Sequence, residues 1–229
     1  MTRQINNSEQ VTLTPEMLLA AYSSGIFPMA DSNDAEKLFW VDPDTRGIIP
    51  LDNFHVPRSL KKTIRNNTYE IRYNYDFEGV IKACAEKTKK RSETWINHQI
   101  MESYRNLFFI KHAHTVECWM EDELVGGLYG VSIGGAFFGE SMFSRKDDAS
   151  KVALVYLVVR LKRCGFVLLD TQFSTKHLEQ FGTKEITREA YQKLLGNALY
   201  METFFYCKEF DESDDSILRR ILQPKTQTS

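Results

Sequence analysis

The sequence predicts an α+β protein built around a β-sheet of mixed strand direction. Three strand-like runs come first, at residues 115–120, 124–129 and 135–140. An apolar helix at 150–163 and a short apolar strand at 166–169 follow them. The helix is apolar nearly all round, which is typical of a helix buried against a sheet. Strands, then a buried helix, then another strand favour the mixed arrangement.

Composition and charge exclude several classes of protein. The chain has 229 residues, of which 42 % are hydrophobic and 15 are Phe, so we expect a packed core and not a disordered chain. The net charge of −2 excludes a strongly basic nucleic-acid binder but allows a local basic patch. Residues 1–10 hold no signal-peptide core, and the longest apolar run, 152–159, is far below the roughly 18 residues of a spanning helix. We therefore expect a soluble, cytoplasmic protein with no membrane partner.

The first 55 residues are expected to form a small, loop-rich N-terminal domain. A short helix begins with Thr14 as its N-cap and Pro15 at its first position, and Gly25 can close it in a left-handed conformation. The pattern from 26 to 57 is irregular. Four prolines in that stretch are expected to interrupt every possible element: Pro28, Pro43, Pro50 and Pro57.

Residues 56–229 are expected to form the larger domain. The elements predicted before the sheet are a basic helix at 58–65, a strand at 69–73, a helix capped by Asp76 and a helix near 100–108. The polar run at 121–123 predicts a hairpin between two strands, and Thr187 caps a last amphipathic helix. The charged tail from residue 208 is expected to be loose. An acetyltransferase-like (GNAT-like) core fits this order.

Several common site types are absent from the sequence. The four cysteines, Cys84, Cys118, Cys164 and Cys207, show no C-x-x-C spacing, so we expect reduced thiols and neither a zinc site nor a disulfide framework. His112 and His114 lack a third ligand nearby and are interpreted as structural. The sequence holds no nucleophile elbow, H-E-x-x-H or phosphate-binding G-x-x-x-x-G-K-[ST] motif. No metal and no cofactor are predicted.

Two segments carry acidic and amide groups at strand ends. In G-G-A-F-F-G-E-S-M-F-S, residues 134–144, glycines permit close approach of a ligand to the backbone, and Glu140 ends the strand. Asp170 and Gln172 are two positions apart, which directs both side chains to one face, where the carboxylate can orient the amide or accept a proton through it. The alternatives are a solvated Glu140 at a sheet edge, and a turn-forming Asp170 with an exposed Gln172.

Aromatic and basic residues indicate contacts with nucleic acid. Trp40 and Trp95 lie in segments flanked by polar residues, where a Trp either stacks on a nucleobase or pins a loop to the core. Two basic groups could meet a phosphate backbone, or could instead be solvated faces. They are Arg58, Lys61, Lys62 and Arg65 at helical spacing, and Lys87, Lys89, Lys90 and Arg91 in one loop.

Eight ordered motifs resemble the leucyl/phenylalanyl-tRNA–protein transferase family. The first four are Y-S-S-G-I-F-P-M (22–29), F-W-V-D-P-D-T-R-G (39–47), H-V-P-R-S-L-K-K (55–62) and T-W-I-N (94–97). The other four are H-A-H-T-V-E (112–117), L-V-G-G-L-Y-G-V (124–131), F-F-G-E-S-M-F-S-R (137–145) and L-L-D-T-Q-F (168–173). The resemblance spans about residues 13–199. Any single motif is weak, whereas eight in the same order are highly specific.

The resemblance implies a function and a set of site residues. It implies a small N-terminal domain, an acetyltransferase-like C-terminal domain, and transfer of Leu, Phe or Met from aminoacyl-tRNA to proteins that begin with Arg or Lys, which marks them for degradation under the N-end rule. By position, Asp170 and Gln172 match the catalytic pair and Glu140 matches the active-site acid. The predicted substrate-binding residues are Trp40, Trp95 and Phe137 around the terminal adenosine and aminoacyl group, together with Ser144, Leu128 and Leu154.

The chain departs from the family's usual pattern at two motifs. It has D-T-Q at 170–172 where the family often has D-C-Q, and F-W-V-D at 39–42 where the family often has W-W-S-P. Thr171 should point away from the chemistry. The change at Val41 and Asp42 could alter how the adenosine is held.

The expected chemistry uses the residues alone. Gln172, oriented by Asp170, would bond the attacking amine, with Asp170 either a base or only an orienter. Glu140 would be a counter-charge for the acceptor's basic side chain or for an ammonium group. A pocket that includes Leu128 and Leu154 would choose Leu or Phe by size and shape.

Two competing functions remain at this point. A coenzyme-A-dependent acetyltransferase suits the same fold, but its pyrophosphate-binding R/Q-x-x-G-x-G/A loop is missing from the sequence. A non-catalytic RNA-binding module explains Trp40, Trp95 and the basic groups but leaves Asp170 and Gln172 without a role.

Overall fold

The structure, a computed structural model, describes residues 3–6, 13–32, 35, 38–88, 94–207 and 213–223. The strands are β1 (Arg3–Asn6), β2 (Phe27–Ala30), β3 (Leu38–Asp42), β4 (Thr45–Ile49), β5 (Glu70–Tyr73), β6 (Ala113–Met120), β7 (Glu123–Ile133), β8 (Ala136–Ser144), β9 (Leu168–Gln172) and β10 (Lys184–Thr187). The helices are α1 (Pro15–Ser23), α2 (Arg58–Arg65), α3 (Phe77–Ala85), α4 (His98–Phe109), α5 (Ala149–Arg163), α6 (Lys176–Glu179), α7 (Arg188–Leu199) and α8 (Asp214–Leu222).

The strands form two sheets, and the larger one has mixed direction. A three-stranded sheet has the order β1-β3-β2, and a seven-stranded sheet has the order β10-β4-β9-β8-β7-β6-β5. Within the larger sheet β8 and β9 pair parallel, while the other neighbours pair antiparallel. The predicted α+β class with a mixed sheet is therefore confirmed.

The expectation that residues 26–57 form only loops is wrong. This stretch contains β2, β3, β4 and a short 3₁₀ turn at Leu51–Asn53. Pro28 lies within β2, which is an edge strand of the small sheet, and an edge strand tolerates a residue without an N–H donor. β4 belongs to the seven-stranded sheet, although the predicted division at residue 55 placed it in the N-terminal domain.

Several helix and turn signals are confirmed because they act locally. The side chains of Thr14, Asp76 and Thr187 each accept a hydrogen bond from the backbone N–H three residues later, as N-caps do. Gly25 has φ of +82° after the end of α1. The β6–β7 hairpin turns through Glu121 and Asp122, which both have positive φ, as a two-residue hairpin turn requires.

Helices cover both faces of the large sheet. α5, predicted as a buried helix, packs on one face together with α2 and α8, while α1, α3, α4 and α7 pack on the other. Successive residues of β8 serve opposite cores: Phe137 lies in the core under α5, and Phe138 lies in the core that includes Tyr22 and Tyr104. None of the helices in the described ranges has the length and apolar character needed to cross a membrane.

The C-terminal region corrects the expectation of a loose tail. Residues 214–222 form α8, which buries Ile217 and Leu222; residues 208–212 and 224–229 lie outside the described ranges. Asp214, in the first turn of α8, bonds both Arg160 and Arg163 of α5. An amphipathic helix therefore continues the structure where the sequence suggested only a charged end.

Cys164 and Cys207 form a disulfide across 43 residues, whereas reduced thiols were expected. Spacing along the chain could not reveal the pair because folding brings Cys207 back to the end of α5. Cys84 and Cys118 are buried and are not part of a disulfide.

Candidate active site

The candidate site lies where β8 and β9 diverge. The two strands pair only from Ala136 to Phe138 and from Leu168 to Asp170. A cavity of about 720 Å³ is lined by the residues that follow the last pair on each strand, Gly139 to Met142 and Thr171 to Phe173. The splay of two parallel strands therefore makes the opening.

A β-bulge on each side of the opening places the polar residues. On β8, Tyr129 pairs with Ser141 and Gly130 pairs with Gly139, so Glu140 is an extra residue. On β9, Gly47 pairs with Gln172 and Ile48 pairs with Asp170, so Thr171 is an extra residue. A bulge bends its strand and changes the direction of nearby side chains, and bulges are common beside active sites.

Gln172 has an unusual backbone conformation. Its φ is +62°, in the left-handed region that non-glycine residues rarely adopt. Gly47 pairs with it on β4, and a Cβ there would lie 2.6 Å from the backbone of Phe173, so only glycine permits this approach. Backbone strain of this kind is concentrated at functional sites.

Asp170 is completely buried and accepts hydrogen bonds from three residues. Nε of Arg46 lies 3.0 Å from both carboxylate oxygens, and its Nη2 lies 2.7 Å from Oδ2. The Tyr191 hydroxyl donates to Oδ2 at 2.6 Å, and the backbone N–H of Gln172 donates to Oδ1 at 2.7 Å. The expectation that Asp170 orients the side-chain amide of Gln172 is wrong in this respect, because Asp170 holds its backbone instead.

Arg46 is a site residue that reasoning from the sequence missed. It is 1 % exposed, it lies between the rings of Phe27 and Tyr191, and its Nη1 donates to the carbonyl oxygen of Gly25 at 2.7 Å. Burial lowers the pKa of its guanidinium, but the charge and hydrogen bonds of Asp170, together with the charges of Tyr191 and Glu140, outweigh burial and raise that pKa above its ordinary value. The available signal was an Arg in the T-R-G run directly before the apolar Ile48 and Ile49.

Glu140 accepts a hydrogen bond from the side-chain amide of Gln172. Nε2 of Gln172 donates to Oε1 at 2.8 Å, and the Tyr104 hydroxyl donates to Oε2 at 3.0 Å. The hydroxyls of Tyr104 and Tyr22 form a hydrogen bond with each other. Burial raises the pKa of the Glu140 carboxyl to about 7, against the lowering effect of hydrogen bonds from Tyr22 and Tyr104. The charge of Asp170 also raises this pKa, and that of Arg46 lowers it.

The rest of the cavity is mostly apolar. Its lining includes the apolar side chains of Leu128, Met142, Leu154, Leu157 and Leu169. Trp95, Phe27, Met29 and Phe173 also line it, and the rings of Phe27 and Phe173 meet edge to face. The cavity lining thus combines apolar side chains with a buried amide and carboxyl group.

Two family models match the chain. Residues 48–196 match the model described as leucyl/phenylalanyl-tRNA protein transferase, and residues 12–44 match that of its N-terminal domain. The chain belongs to the leucyl/phenylalanyl-tRNA protein transferase family. The leucyl/phenylalanyl-tRNA–protein transferase of Paramagnetospirillum magneticum (strain ATCC 700264 / AMB-1) is 57 % identical over 193 residues, which are 84 % of this chain and 92 % of that relative.

Membership of the transferase family confirms the resemblance carried by the eight motifs. The family consists of aminoacyltransferases that use aminoacyl-tRNA donors and protein acceptors. The comparisons give no support to a coenzyme-A-dependent acetyltransferase. The two family matches meet between residues 44 and 48, at the start of β4. Since β4 belongs to the large sheet, we propose that the domain boundary lies there and not at 55.

The structure brings only part of the predicted transferase site together. Asp170, Gln172 and Glu140 are joined by contacts, and Trp95, Leu128 and Leu154 line the cavity. Trp40 does not line it: this half-buried residue lies in β3, in register with Pro28.

Phe137 and Ser144, which were predicted to bind substrate, do not line the cavity. Phe137 is fully buried under α5, against Phe166 and Phe205, because it faces the opposite side of β8 from the core of Phe138. Ser144 ends β8, where its Oγ donates to the carbonyl oxygen of Lys146 and accepts from the N–H of Ser150. Both residues therefore support the fold around the cavity.

The predicted tRNA-binding residues divide into three groups. Lys61 and Arg65 of α2 donate to the carbonyl oxygens of Gln223 and Leu222, so they hold the end of α8. Arg58, Lys62 and Lys87 are exposed. Lys89, Lys90 and Arg91 lie outside the described residues.

Both histidines of the H-A-H motif form hydrogen bonds with other residues of the fold. The ring of His114 contacts Asn74 through Nδ1 and Ser132 through Nε2, and burial lowers its pKa to about 3. His112 contacts the carbonyl oxygen of Ser132 through Nδ1.

Proposed function

We propose that the protein transfers Leu, Phe or Met from aminoacyl-tRNA to the α-amine of proteins that begin with Arg or Lys. The observation that carries this proposal is the cavity between β8 and β9, which is lined both by apolar side chains and by Gln172 and Glu140, whose amide and carboxyl groups are hydrogen-bonded. In the cytoplasm such transfer would mark the acceptor for degradation under the N-end rule.

The apolar side chains of the cavity suit the side chain of the donor. Leu128, Met142 and Leu154 offer hydrocarbon and thioether surface, so an apolar side chain gains from burial there. A polar competitor would lose its hydrogen bonds with water without replacing them. Trp95 and Phe173 line the same cavity and provide ring faces on which the terminal adenine can stack.

The reaction requires alignment more than activation. The aminoacyl ester is already activated, and holding it next to a neutral amine contributes up to about 7–11 kcal/mol of the barrier reduction. Because the Gln172 amide nitrogen donates to Glu140, its amide oxygen is left to accept a hydrogen bond from the amine. Glu140 supplies negative charge beside that amine when it is ionised.

The body of the tRNA is proposed to lie along the exposed basic side chains. Arg58 and Lys62 project from α2, and Lys87 begins the basic run that continues to residue 91. Phosphate contacts of this type add affinity without reading sequence.

A direct assay tests the proposed function. Labelled Leu-tRNA or labelled acetyl-CoA is incubated with the protein and a peptide that begins with Arg, or with the same peptide begun by Gly. We expect label from Leu-tRNA on the Arg peptide alone. Label from acetyl-CoA, or from neither donor, would contradict the proposal.

A matched pair of variants links the activity to the site. Gln172→Ala should reduce transfer by about 10²-fold or more, on the scale of general acid–base contributions. Gln223→Ala is the control, since Gln223 follows α8 and does not line the cavity. Equal activity of the two variants would remove Gln172 from the mechanism.

A further inference from the structure

We propose that Arg46 holds Asp170 as a fixed anion that positions the site, and that Glu140 accepts the proton released by the acceptor's ammonium group. This inference rests on the proposed function. It assigns the proton transfer to the carboxyl group that lines the cavity, and it makes Asp170 and Arg46 positioning residues.

The contacts of Asp170 leave it little capacity to act as a base. It is 0 % exposed and does not line the cavity, so no substrate amine can reach it directly. Arg46 meets both of its oxygens in a forked ion pair, and Tyr191 and the N–H of Gln172 donate to the same oxygens. Both oxygens are thus already occupied by hydrogen bonds from groups of the fold itself.

Glu140 has the opposite surroundings. It lines the cavity, and its oxygens accept from neutral donors, among them the Tyr104 hydroxyl and the Gln172 amide. The charged and titratable groups around it come from five elements: Tyr22 of α1, Arg46 of β4, Tyr104 of α4, Asp170 of β9 and Tyr191 of α7. The only cation among them is Arg46, which already contacts Asp170. A pKa of about 7 suits a group that must gain and lose a proton near neutral pH.

The proton balance of the step is simple. The acceptor ammonium gives one proton to Glu140 and becomes a neutral amine, which donates a hydrogen bond to the amide oxygen of Gln172. The amine nitrogen then bonds to the ester carbonyl carbon, the bond between that carbon and the ribose oxygen breaks, and the ribose oxygen takes the second amine proton. Glu140 afterwards returns its proton to water.

Arg46 positions the site by joining three segments. From β4, its guanidinium bonds Asp170 on β9 and the carbonyl oxygen of Gly25, which precedes the cavity residues Phe27 and Met29. Its charge also lowers the pKa of Glu140, whereas the charge of Asp170 raises it. The ion pair thus affects Glu140 in two opposite ways that substitutions can separate.

The first experiment separates the base from the positioning residues with two acceptors. One is an Arg-starting peptide, whose amine must lose a proton; the other is hydroxylamine, a nucleophile that is already neutral at pH 7. With Leu-tRNA as donor, Glu140→Gln should lower kcat for the peptide about 10²-fold and kcat for hydroxylamine less than about 10-fold. Asp170→Asn, which keeps the Oδ1 acceptor, should lower both by the same factor.

The reverse pattern overturns the inference. If Asp170→Asn retains hydroxylamine transfer but loses peptide transfer, Asp170 is the base; if Glu140→Gln lowers both acceptors equally, Glu140 only positions. A wild-type chain that transfers Leu to neither acceptor overturns the proposed function itself, and the inference with it.

The second experiment tests Arg46 through the pH dependence of kcat, which reports groups in the bound complex. The fall of kcat at acid pH should move to higher pH in Arg46→Met, to lower pH in Asp170→Asn, and back towards wild type in the double variant. Arg46→Lys, which keeps the charge, should move it least. Arg46→Met leaves an unpaired buried carboxylate and can fail to fold, whereas the double variant replaces the whole ion pair, a change that is often tolerated. The role of Arg46 would be overturned by either of two results in the double variant. Either kcat no longer falls at acid pH, or the pH of that fall is displaced as far as in Asp170→Asn.

Discussion

Replacing Glu140 by Gln should stabilise the protein above neutral pH while it impairs transfer. Burial raises the pKa of Glu140 from an ordinary value of 4.5 to about 7, so the folded state binds a proton that the unfolded state has already released between those pH values. Stability therefore falls as pH rises from about 4.5 to about 7, and the full loss persists above 7. At about 1.4 kcal/mol for each pH unit, the loss is about 3 kcal/mol. The Glu140→Gln variant has no ionisable group at this position, so it should not show this loss of stability.

The measurement is the free energy of unfolding in urea at pH 5 and at pH 8. The free energy of unfolding of Glu140→Gln, taken relative to that of wild type, should be about 3 kcal/mol higher at pH 8 than at pH 5. Glu123→Gln is the matched control, because it removes an exposed carboxylate from the β6–β7 hairpin. A difference between wild type and Glu140→Gln that is the same at both pH values would refute the reasoning.

Three further predictions concern tRNA, the donor pocket and the disulfide. The double variant Arg58→Glu, Lys62→Glu should flatten the salt dependence of tRNA binding, by about 0.9 in the slope of log K against log salt for each lost phosphate contact. Transfer from aminoacyl-adenosine should be unchanged. Equal loss of activity with both donors would show that these residues support the fold. Leu154→Phe narrows the cavity and should lower kcat/KM for Phe relative to Leu by about 10-fold or more, and an unchanged ratio would exclude Leu154 from selection. Cys207→Ser opens a loop of 43 residues and should cost about 2–4 kcal/mol in urea unfolding, as should a reductant added to wild type. A reductant without effect on wild type would count against the disulfide.

The sequence predicted best what is decided locally. The N-caps at Thr14, Asp76 and Thr187 and the turn at Glu121 and Asp122 depend on bonds within a few residues, and all were predicted correctly. The helix at 150–163 was also predicted correctly, because its apolar character shows directly in the pattern.

Long-range contacts account for most of the errors. Arg46 and Asp170 are 124 residues apart, and no pattern in the chain links an Arg in an N-terminal segment with an Asp in a later strand. The same limit applies to the Cys164–Cys207 pair. Pro28 misled the prediction because proline disfavours strands in general but is tolerated at an edge, and edge position is a property of the sheet.

The candidate site could be predicted as a set of residues but not as a set of contacts. The motifs brought Glu140, Asp170 and Gln172 together through resemblance. Which carboxylate holds the backbone of Gln172 and which holds its amide depends on the bulges at Glu140 and Thr171, and a bulge has no signature in a single sequence. Phe137 was misplaced for a related reason, since a strand's side chains alternate between faces and only the fold decides which face borders the cavity.

The position of β4 between β9 and β10 has a consequence for synthesis of the chain on the ribosome. Neither edge of β4, residues 45–49, can pair until residues 168–172 and 184–187 have been synthesised. At about 5–20 residues per second, the 124 residues from Arg46 to Asp170 take about 6 to 25 s to emerge. Throughout that time the apolar Ile48 and Ile49 lack their strand partners, so the nascent N-terminal segment keeps apolar surface and strand edges exposed. The candidate site, which needs Arg46 and Asp170 together, is consequently among the last parts of the molecule to form.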